Sequence, residues 1–267
     1  MTVDFHSHTS ESDGTLSPAD LVARMRARGV SWFSITDHDT LRAYDGLDTA
    51  GLRLIPGIEI NTTWNGADVH ILGYRIPLGP SPLAHVLEAN RTHRRSRIDR
   101  MVEKLAVAGY PVTLDEILAE SGGGHALGRP HVAKALVRRG HVRDIDAAFR
   151  ELLSFGKPAY TPSHHITAPE AIDVIRAAGG IAVVAHPGRL WEEKMLDALI
   201  EHGLDGIEVF YPTHTTQQRA AFRAIAARHN LVMTAGADFH DPKRNPNGVG
   251  VDVDPDDIRP FLDLVAA

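Results

Sequence analysis

The stretch MTVDFHSHTSESDG, residues 1–14, holds an apolar segment that ends in two histidines one residue apart. Phe5 directly precedes His6, and Ser7 separates His6 from His8. Residues two apart on a strand point to the same face of a sheet. Both imidazoles could therefore reach one cation. Asp13 follows in a Ser-, Thr- and Gly-containing segment that is typical of a turn. This spacing fits a polar surface strand or the first part of a metal site, and the later strand ends must decide.

The composition predicts a soluble globular enzyme with one large α/β domain, or such a domain with an insertion. The chain has 267 residues, of which 43% are hydrophobic and 23% charged. No apolar run approaches the roughly 20 residues that span a bilayer, and a site residue at position 6 predicts no leader peptide. With no cysteine, disulfides and thiolate metal sites are excluded, and a cytoplasmic location is expected.

The net charge of −6 argues against a protein that holds long nucleic acid through bulk electrostatics. A small anionic substrate remains compatible with this charge, because bound cations can reverse the sign of a pocket. The sequence indicates neither a membrane partner nor an oligomeric state.

Short apolar runs alternate with helical patterns along most of the chain. The candidate strands are Val3–His8, Trp32–Thr36, Leu52–Ile60, Val69–Tyr74, Ile181–Ala185, Gly206–Tyr211 and Leu231–Ala235. Several of these are continuous apolar runs, which are typical of parallel strands covered by helices on both faces. The alternation predicts a barrel or a doubly wound sheet.

The middle of the chain, residues 81–162, shows helical patterns in place of strands. Its helical stretches are Leu83–Ala108, Leu114–Ser121, Pro130–Arg139 and Ile145–Leu153. We predict a barrel domain over residues 1–80 and 163–267, and an all-helical cap over 81–162 that covers the active site. The first cap helix carries Arg91, Arg94, Arg95, Arg97 and Arg100. We interpret these arginines as a solvated helix surface, and a substrate-facing basic patch is the alternative.

Metal-type side chains recur where the predicted strands end. They are His6, His8, Asp37, His38, Asp39, Glu59, His70, His186, Glu208, Asp238 and His240. The active sites of α/β barrels form at the carboxyl ends of the strands. Imidazole and carboxylate ligands without thiolate suit Mn²⁺, Fe²⁺, Zn²⁺ or Mg²⁺. Because one tetrahedral ion takes only about four ligands, a cluster of two or three ions is predicted.

These segments resemble the motifs of the polymerase and histidinol phosphatase (PHP) superfamily. The matching segments are His6-x-His8, Thr36-Asp37-His38-Asp39, Glu59, His70, Ala185-His186-Pro187 and Asp238-Phe239-His240. The resemblance implies a distorted (β/α)₇ barrel, in agreement with the seven candidate strands. Two segments of the predicted cap, Gly128-Arg129-Pro130-His131 and Gly156-Lys157-Pro158-Ala159-Tyr160, are similar to one branch. That branch contains 3′,5′-nucleoside bisphosphate phosphatases and related 5′-to-3′ exonucleases.

The resemblance also implies a centre of three divalent ions, with Mn²⁺ as the first candidate. The first ion takes His6, His8, Glu59 and Asp238; the second shares Glu59 and adds His70 and His186; the third takes Asp13, His38 and His240. Asp37 and Asp39 are expected to orient ligating histidines or to be structural.

Four residues are predicted to handle the substrate. Arg129 precedes a proline at a probable helix start, so its guanidinium and a positive helix end would converge on a phosphate. His131 and Lys157 are predicted to bind the same anion. His214 is predicted to bind substrate and to protonate the leaving group, although the third ion could supply that step. The remaining histidines are expected to be ordinary surface or packing residues: His85, His93, His125, His141, His164, His165, His202 and His229.

The expected activity is hydrolysis of a phosphomonoester on a small nucleotide by hydroxide that the ions hold. The preferred substrate is the 3′-phosphate of a nucleoside 3′,5′-bisphosphate such as adenosine 3′,5′-bisphosphate. The alternatives are histidinol-phosphate hydrolysis, 5′-to-3′ exoribonuclease activity on short oligonucleotides, and amidohydrolase-type C–N hydrolysis. A regulatory module without activity is the non-enzymatic alternative.

Overall fold

A computed structural model describes residues 1–49, 51–121, 126–162, 165–189, 193–243 and 245–266. These residues form a mixed α/β fold. The strands are β1 Thr2–Asp4, β2 Trp32–Phe33, β3 Arg53–Leu54, β4 Gly57–Trp64, β5 Ala67–Tyr74, β6 Ile181–Val184, β7 Gly206–Phe210, β8 Val232–Ala235 and β9 Val251–Asp252. The helices are α1 Pro18–Arg28, α2 Pro82–Val107, α3 Leu114–Glu120, α4 Arg129–Arg138, α5 Ile145–Ala148, α6 Ala168–Ala177, α7 Glu193–His202, α8 Thr216–His229 and α9 Pro255–Ala266.

None of the helices in this part of the chain combines the length and the apolar character needed to cross a membrane. The cytoplasmic location stays a prediction.

The strands form two sheets, with orders β3-β2-β1-β9 and β4-β5-β6-β7-β8. β1, β2 and β3 are parallel, as are β6, β7 and β8, whereas β9 is antiparallel to β1. β5 is antiparallel to both β4 and β6. The expectation of parallel strands is therefore correct for part of each sheet and wrong for β4 and β5, and β9 was not among the predicted strands.

A hairpin explains the antiparallel part. β4 and β5 pair from Gly57 opposite Tyr74 to Trp64 opposite Ala67. The connection is Asn65-Gly66, with φ angles of 48° and 82°, and two successive positive φ angles characterise the type I′ turn that suits strand twist. The turn lets β4 continue past the predicted strand end at Ile60.

The single strand predicted over Leu52–Ile60 is wrong. The structure has two strands there, Arg53–Leu54 and Gly57–Trp64, with Ile55 and Pro56 between them. Pro56 has no N–H to give to a ladder. The two strands also belong to different sheets, so the break lets the chain pass from one sheet to the other.

The two sheets contact each other along two edges. The N–H of Phe5, just after β1, donates to the carbonyl of Ala235 in β8 at 2.8 Å. The N–H of Asp39, in the segment after β2, donates to the carbonyl of Glu59 in β4 at 3.1 Å. These contacts join the segment after β1 to β8 and the segment after β2 to β4, while closure into a seven-stranded barrel stays a prediction.

An aromatic trio lies in the main core. Phe5, Tyr74 and Phe261 are fully buried. The Phe261 ring packs edge-on against the rings of Phe5 and Tyr74, at centroid distances of 4.9 and 5.0 Å. The Tyr74 hydroxyl donates to the carbonyl of Phe5 at 3.0 Å, so its polar atom is satisfied. The trio thereby anchors α9 to the strands that lead into the site.

The helices between residues 81 and 162 have a hydrophobic cluster of their own, which includes Ile98, Met101, Leu136 and Leu153. The predicted helical stretches are present as α2 to α5, and a π-helix over Phe149–Leu153 extends the last of them. α2 connects the two clusters, because its first turns pack in the main core and its later turns in this one. The domain boundaries themselves stay a prediction.

We expect Phe261→Ala to lower the free energy of unfolding by about 3–5 kcal/mol, because a buried ring leaves a cavity between α9 and the sheets. Leu264→Ala on the same helix is the control, since Leu264 is 45% exposed and should change stability by less than about 0.5 kcal/mol. Urea unfolding followed by circular dichroism measures both variants. Equal losses would contradict this account of the core.

Candidate metal centre

The carboxylate of Glu59 lies at the centre of the site. Its Oε2 atom is 3.2 Å from His6 Nε2 and 3.1 Å from His8 Nε2. His38 Nδ1 lies 3.1 Å from the same oxygen. Glu59 is 1% exposed, and His6 and His8 are 0% exposed. Strand β4 therefore delivers one buried carboxylate oxygen to imidazoles that come from two other strand ends.

The second oxygen of Glu59 faces a further pair of histidines. Oε1 is 2.7 Å from His70 Nδ1 and 3.3 Å from His186 Nε2. His70 lies on β5, opposite Asn61 of the hairpin, and His186 follows β6. Both oxygens of one carboxylate thus have imidazole neighbours, which is the arrangement that a bridging ligand requires.

The ligand-type residues form three groups, and within each group the potential ligand atoms lie within 4.8 Å of one another. They are His6, His8, Glu59 and Asp238; His8, Asp13, His38 and His240; and His38, Glu59 and His70. The first group has the same members as the first ion's set implied by the resemblance. The second contains the third ion's set with His8 added, and in the third group His38 stands where the resemblance places His186.

Several buried atoms of the cluster have no hydrogen-bond partner in the described part of the chain. They are His6 Nε2, both ring nitrogens of His8, and Glu59 Oε2. Buried polar atoms are normally paired, and nitrogen and carboxylate oxygen atoms that face one another without hydrogen-bond geometry are a suitable donor set for Mn²⁺, Fe²⁺, Zn²⁺ or Mg²⁺. The residues therefore fit divalent cations.

The electrostatic field of the cluster also favours cations. Burial would raise the pKa of Glu59, but His38 and His70 hold it well below its usual range. In the same way His240 and His38 outweigh burial and keep the pKa of Asp13 well below its usual range. Burial lowers the pKa of His8, yet Asp238 and Glu59 raise it to about 10. The carboxylates are thus ionised at neutral pH, and positive charge is stabilised beside them.

Two carboxylates outside the cluster hold its members in place. Glu208 on β7 is fully buried; its Oε1 lies 3.0 Å from His6 Nδ1, and its Oε2 accepts from the N–H of His186 at 2.7 Å. Asp37 accepts from the N–H of Thr9 at 2.7 Å and from the Ser12 hydroxyl at 2.5 Å. Such contacts fix the orientation of ligating residues. Asp37 holds the segment between His8 and Asp13, which agrees with the structural role that is one of the two expected for it.

The turn that carries Asp13 depends on these contacts and on Gly14. A Cβ atom at Gly14 would lie 2.5 Å from the carbonyl oxygen of His8, which only glycine avoids. The Asp13 carboxylate lies 3.2 Å from His240 Nε2, 3.8 Å from His8 Nδ1 and 3.9 Å from His38 Nε2. The structure therefore places this turn against the cluster and not on an open surface.

Asp39 links the cluster to the helices above it. Its carboxylate accepts from the side-chain amides of Asn61 and Asn90 at 3.1 and 2.9 Å, and it lies 2.7 Å from Arg94 Nε. The Asn61 amide in turn lies 2.9 Å from His38 Nδ1. Asp39 thus orients a histidine through Asn61, as expected, and it also fixes α2 over the site.

Backbone strain concentrates at two strand ends. His186 and Asp238 have backbone φ angles of 27° and 49°, values that residues other than glycine seldom adopt. Two hydrogen bonds hold Asp238 in place. Its N–H donates to the carbonyl of His6 at 2.8 Å, and its carboxylate accepts from the Tyr211 hydroxyl at 3.1 Å. Strained residues of this kind cluster at functional sites.

Of the residues predicted to handle substrate, Arg129 lines the cavity above the cluster. It begins α4, and its Nη2 donates to Asp68 Oδ2 at 3.1 Å. Lys157 is exposed and is not among the residues that line the cavity. The structure therefore brings Arg129 to the site and leaves Lys157 away from it.

His131 and His214 have mainly structural contacts. Burial lowers the pKa of His131 to about 4, and its Nδ1 accepts from the N–H of Gly128 at 3.0 Å, which caps α4. Burial also lowers the pKa of His214; its Nδ1 lies 3.0 Å from the Val209 carbonyl, and its Nε2 accepts from the N–H of Gly188 at 3.1 Å. With both nitrogens bonded to backbone, His214 holds the segment after His186 in place, and its catalytic role stays a prediction.

The basic face of α2 corrects one expectation. Arg94 and Arg97 are buried, at 7% and 8% exposure, and they line the cavity with Arg129. Arg95 and Arg100 are exposed, as expected. The interpretation of this helix as a solvated surface is therefore wrong for Arg94 and Arg97, whose spacing of three places them on one helix face.

The other histidines divide into two groups. His85, His93, His202 and His229 are exposed and His141 is half-buried, as expected, whereas His125 and His164 lie outside the described residues. His165 differs: burial, followed by repulsion from Arg94 and Arg97, lowers its pKa to about 2. The sequence shows no pattern around His165 that would have indicated this position.

Comparisons with known proteins agree with this geometry. The PHP-domain family model matches residues 4–93. A protein of Escherichia coli K12 named 5′-3′ exoribonuclease Rnm is 36% identical over 90% of this chain and 85% of its own length. A protein of Chromobacterium violaceum named 3′,5′-nucleoside bisphosphate phosphatase is 33% identical over 93% of this chain and 90% of its own.

A solved structure is similar over the whole chain. It is that of an amidohydrolase from Chromobacterium violaceum with bound sulfate and no metal. Its TM-score is 0.90 at 32% identity, and the match covers 100% of this chain and 96% of that one. The motifs, the buried cluster and these relatives lead to one conclusion: the chain belongs to the PHP family of metal-dependent phosphoesterases, in the branch that contains the exoribonuclease and the bisphosphate phosphatase.

Proposed function

We propose that this protein is a phosphatase that removes the 3′-phosphate from nucleoside 3′,5′-bisphosphates such as adenosine 3′,5′-bisphosphate. The observation that carries the proposal is one cavity lined by two kinds of residue. Ligand-type residues, among them Asp13, Glu59 and Asp238, line it together with arginines from α2 and α4. The relative named 3′,5′-nucleoside bisphosphate phosphatase supports the choice of substrate.

Nine residues are proposed to hold two or three divalent ions, with Mn²⁺ as the first candidate. They are His6, His8, Asp13, His38, Glu59, His70, His186, Asp238 and His240. Bound divalent ions supply Lewis-acid polarisation of a phosphoryl oxygen and activation of water. Glu208 and Asn61 keep the imidazoles of His6 and His38 in fixed orientations.

Arg129 is proposed to take part in catalysis by binding a phosphate of the substrate and so positioning the nucleotide for phosphoryl transfer. A guanidinium forms paired hydrogen bonds to phosphate oxygens, and Arg129 is only partly engaged, through Nη2, with Asp68. His131 supports this role indirectly, because its contact with Gly128 fixes the helix start from which Arg129 projects. For Lys157 and His214, substrate contact would require a movement of the chain.

We also infer that the two sheets form the distorted seven-stranded barrel that the sequence resemblance implies. The backbone contacts from Phe5 to Ala235 and from Asp39 to Glu59 support it, since they would join the two sheets along both edges. In such a barrel the strand ends that carry the ligand-type residues share one mouth.

The substrate assignment can be tested with Mn²⁺-loaded protein. Phosphate release from adenosine 3′,5′-bisphosphate should be roughly 100-fold faster, in kcat/KM, than from histidinol phosphate or adenosine 5′-monophosphate, because the site is built for a nucleotide with a 3′-phosphate. Glu59→Gln is the inactive control. Preferential release of mononucleotides from a 5′-phosphorylated oligoribonucleotide would replace this proposal with exoribonuclease activity.

Metal content provides a separate test. Elemental analysis by mass spectrometry should find two or three Mn²⁺ ions per chain, and Asp238→Asn should lower the content by about one ion, because one carboxylate of the first donor group is lost. His202→Ala is the matched control, since His202 is exposed and pairs with Asp173. Fewer than two ions in the unaltered protein after supplementation would contradict the proposed centre.

Arg129→Ala should lower kcat/KM for the bisphosphate by about 10- to 100-fold, the loss expected for a charge-assisted hydrogen bond to phosphate. The urea midpoint should change little, because the ion pair of Arg129 with Asp68 is partly exposed, and such pairs contribute little to stability. Arg138→Ala on the same helix is the control; its side chain is 69% exposed and pairs with Glu120. Unaltered kinetics in Arg129→Ala would reduce Arg129 to a structural contact of Asp68.

A further inference from the structure

Two buried guanidinium groups of α2 have unused hydrogen-bonding capacity beside the metal-centre cavity. Arg94 and Arg97 are more than nine-tenths buried and line the cavity. The Nη2 atom of each is buried and has no hydrogen-bond partner among the residues that the structure describes. Leaving a charged donor buried and unpaired is costly, so these atoms indicate that a ligand binds here.

The protein fixes Nε and Nη1 of Arg94 and Nε of Arg97. Arg94 Nε lies 2.7 Å from Asp39 Oδ2, and Arg94 Nη1 donates to the Leu127 carbonyl at 3.2 Å. Arg97 Nε donates to the Thr161 carbonyl at 2.8 Å. Each guanidinium plane is therefore held before any ligand arrives, which lowers the entropy cost of binding.

Arg129 completes the group from the opposite helix. Asp68 Oδ2 lies 3.1 Å from Arg129 Nη2 and 3.9 Å from Arg97 Nη2, so a carboxylate oxygen already lies between two guanidiniums. Burial, and next the repulsion from Arg129, lower the pKa of Arg97 to about 10, so the group is still charged at neutral pH. The three arginines outnumber Asp68 and Asp39, and the excess positive charge favours an anion.

The position of this group relative to the metal centre suits a second phosphate. Asp68 and His70 are two residues apart on β5 and so share a face of the strand, with about 7 Å between them along the strand. An anion beside Asp68 and a phosphate beside His70 would therefore lie a short distance apart. A ribose that carries phosphates on its 3′ and 5′ oxygens spans such a gap.

We propose that Arg94, Arg97 and Arg129 form a second phosphate subsite, which holds the phosphate that is not hydrolysed. This inference rests on the proposed function, in which the metal centre takes the 3′-phosphate; the arginines then take the 5′-phosphate. The subsite makes the enzyme selective for doubly phosphorylated nucleotides over 3′-monophosphates. Arg94 and Arg97 are thereby specificity-determining residues that belong to the cap helix α2.

Arg97→Met in the Mn²⁺-loaded full chain tests the subsite kinetically. The variant should lose about 10- to 100-fold in kcat/KM for adenosine 3′,5′-bisphosphate and change less than about 3-fold for adenosine 3′-monophosphate. Arg97→Lys, which keeps the charge and loses the fork, should recover part of the loss. Arg100→Met is the matched control, because Arg100 is exposed on the same helix. Equal losses on both substrates would overturn the subsite, since they indicate a structural role.

A binding measurement separates this inference from the proposed function. Calorimetry should show that adenosine 5′-monophosphate binds the Mn²⁺-loaded protein and its Arg100→Met variant, and that Arg94→Met and Arg97→Met each weaken binding by about 10-fold or more. If the bisphosphate is not hydrolysed but binding still depends on these arginines, the subsite stands and the proposed function fails. If the bisphosphate is hydrolysed and binding is unchanged in both variants, the subsite alone is overturned.

Discussion

The rest of the site depends on the burial of one carboxylate, that of Glu59. At 1% exposure, an ionised carboxylate is far too costly to leave without compensating positive charge. The chain supplies imidazoles at 3.1–3.2 Å from one oxygen and at 2.7 and 3.3 Å from the other. Those imidazoles come from β5 and from the segments after β1, β2 and β6, so the sheets have to bring these parts together for β4 to be stable where it lies. The arrangement of the sheets and the composition of the site therefore depend on the same buried carboxylate.

A layer of hydrogen bonds makes this convergence specific. Glu208 contacts His6 and the backbone of His186, so one buried carboxylate fixes the positions of the segments that follow two strands. Asp39 similarly connects the segment after β2 to α2 through Arg94. This contact joins α2 to the loop that carries His38, so the position of α2 and that of the ligand-type cluster depend on the same loop. The proposed phosphate subsite and the proposed metal centre are thereby linked through a single loop.

The sequence predicted the clustering of the ligand-type side chains better than it predicted the pairing of the strands. The pairing of His6 with His8 follows from strand periodicity, and their meeting with Asp238 follows from the convergence of strand ends. The hairpin was missed although its signal is local: Asn65-Gly66 lies between Trp64 and Ala67, and Asn-Gly is the preferred type I′ turn. The contacts of His214 could not have been predicted, because its partner Gly188 comes from another loop and is identified only by tertiary packing.

The composition of α2 suggests exposed arginines, whereas the positions of Arg94 and Arg97 along the helix predict that these two are buried. Five arginines on one helix suggest a solvated face, yet the buried positions of α2 follow one stripe: Leu83, Leu87, Asn90, Arg94, Arg97, Ile98, Met101 and Leu105. Spacings of three and four residues along this stripe are those of a helix face that packs inward. A charged residue on such a stripe must be compensated once buried. Asp39 compensates Arg94, whereas Arg97 has Asp68 only at 3.9 Å. Arg97 thus brings a positive charge to the cavity that Asp68 compensates only at 3.9 Å, and a phosphate of the proposed substrate would meet this charge.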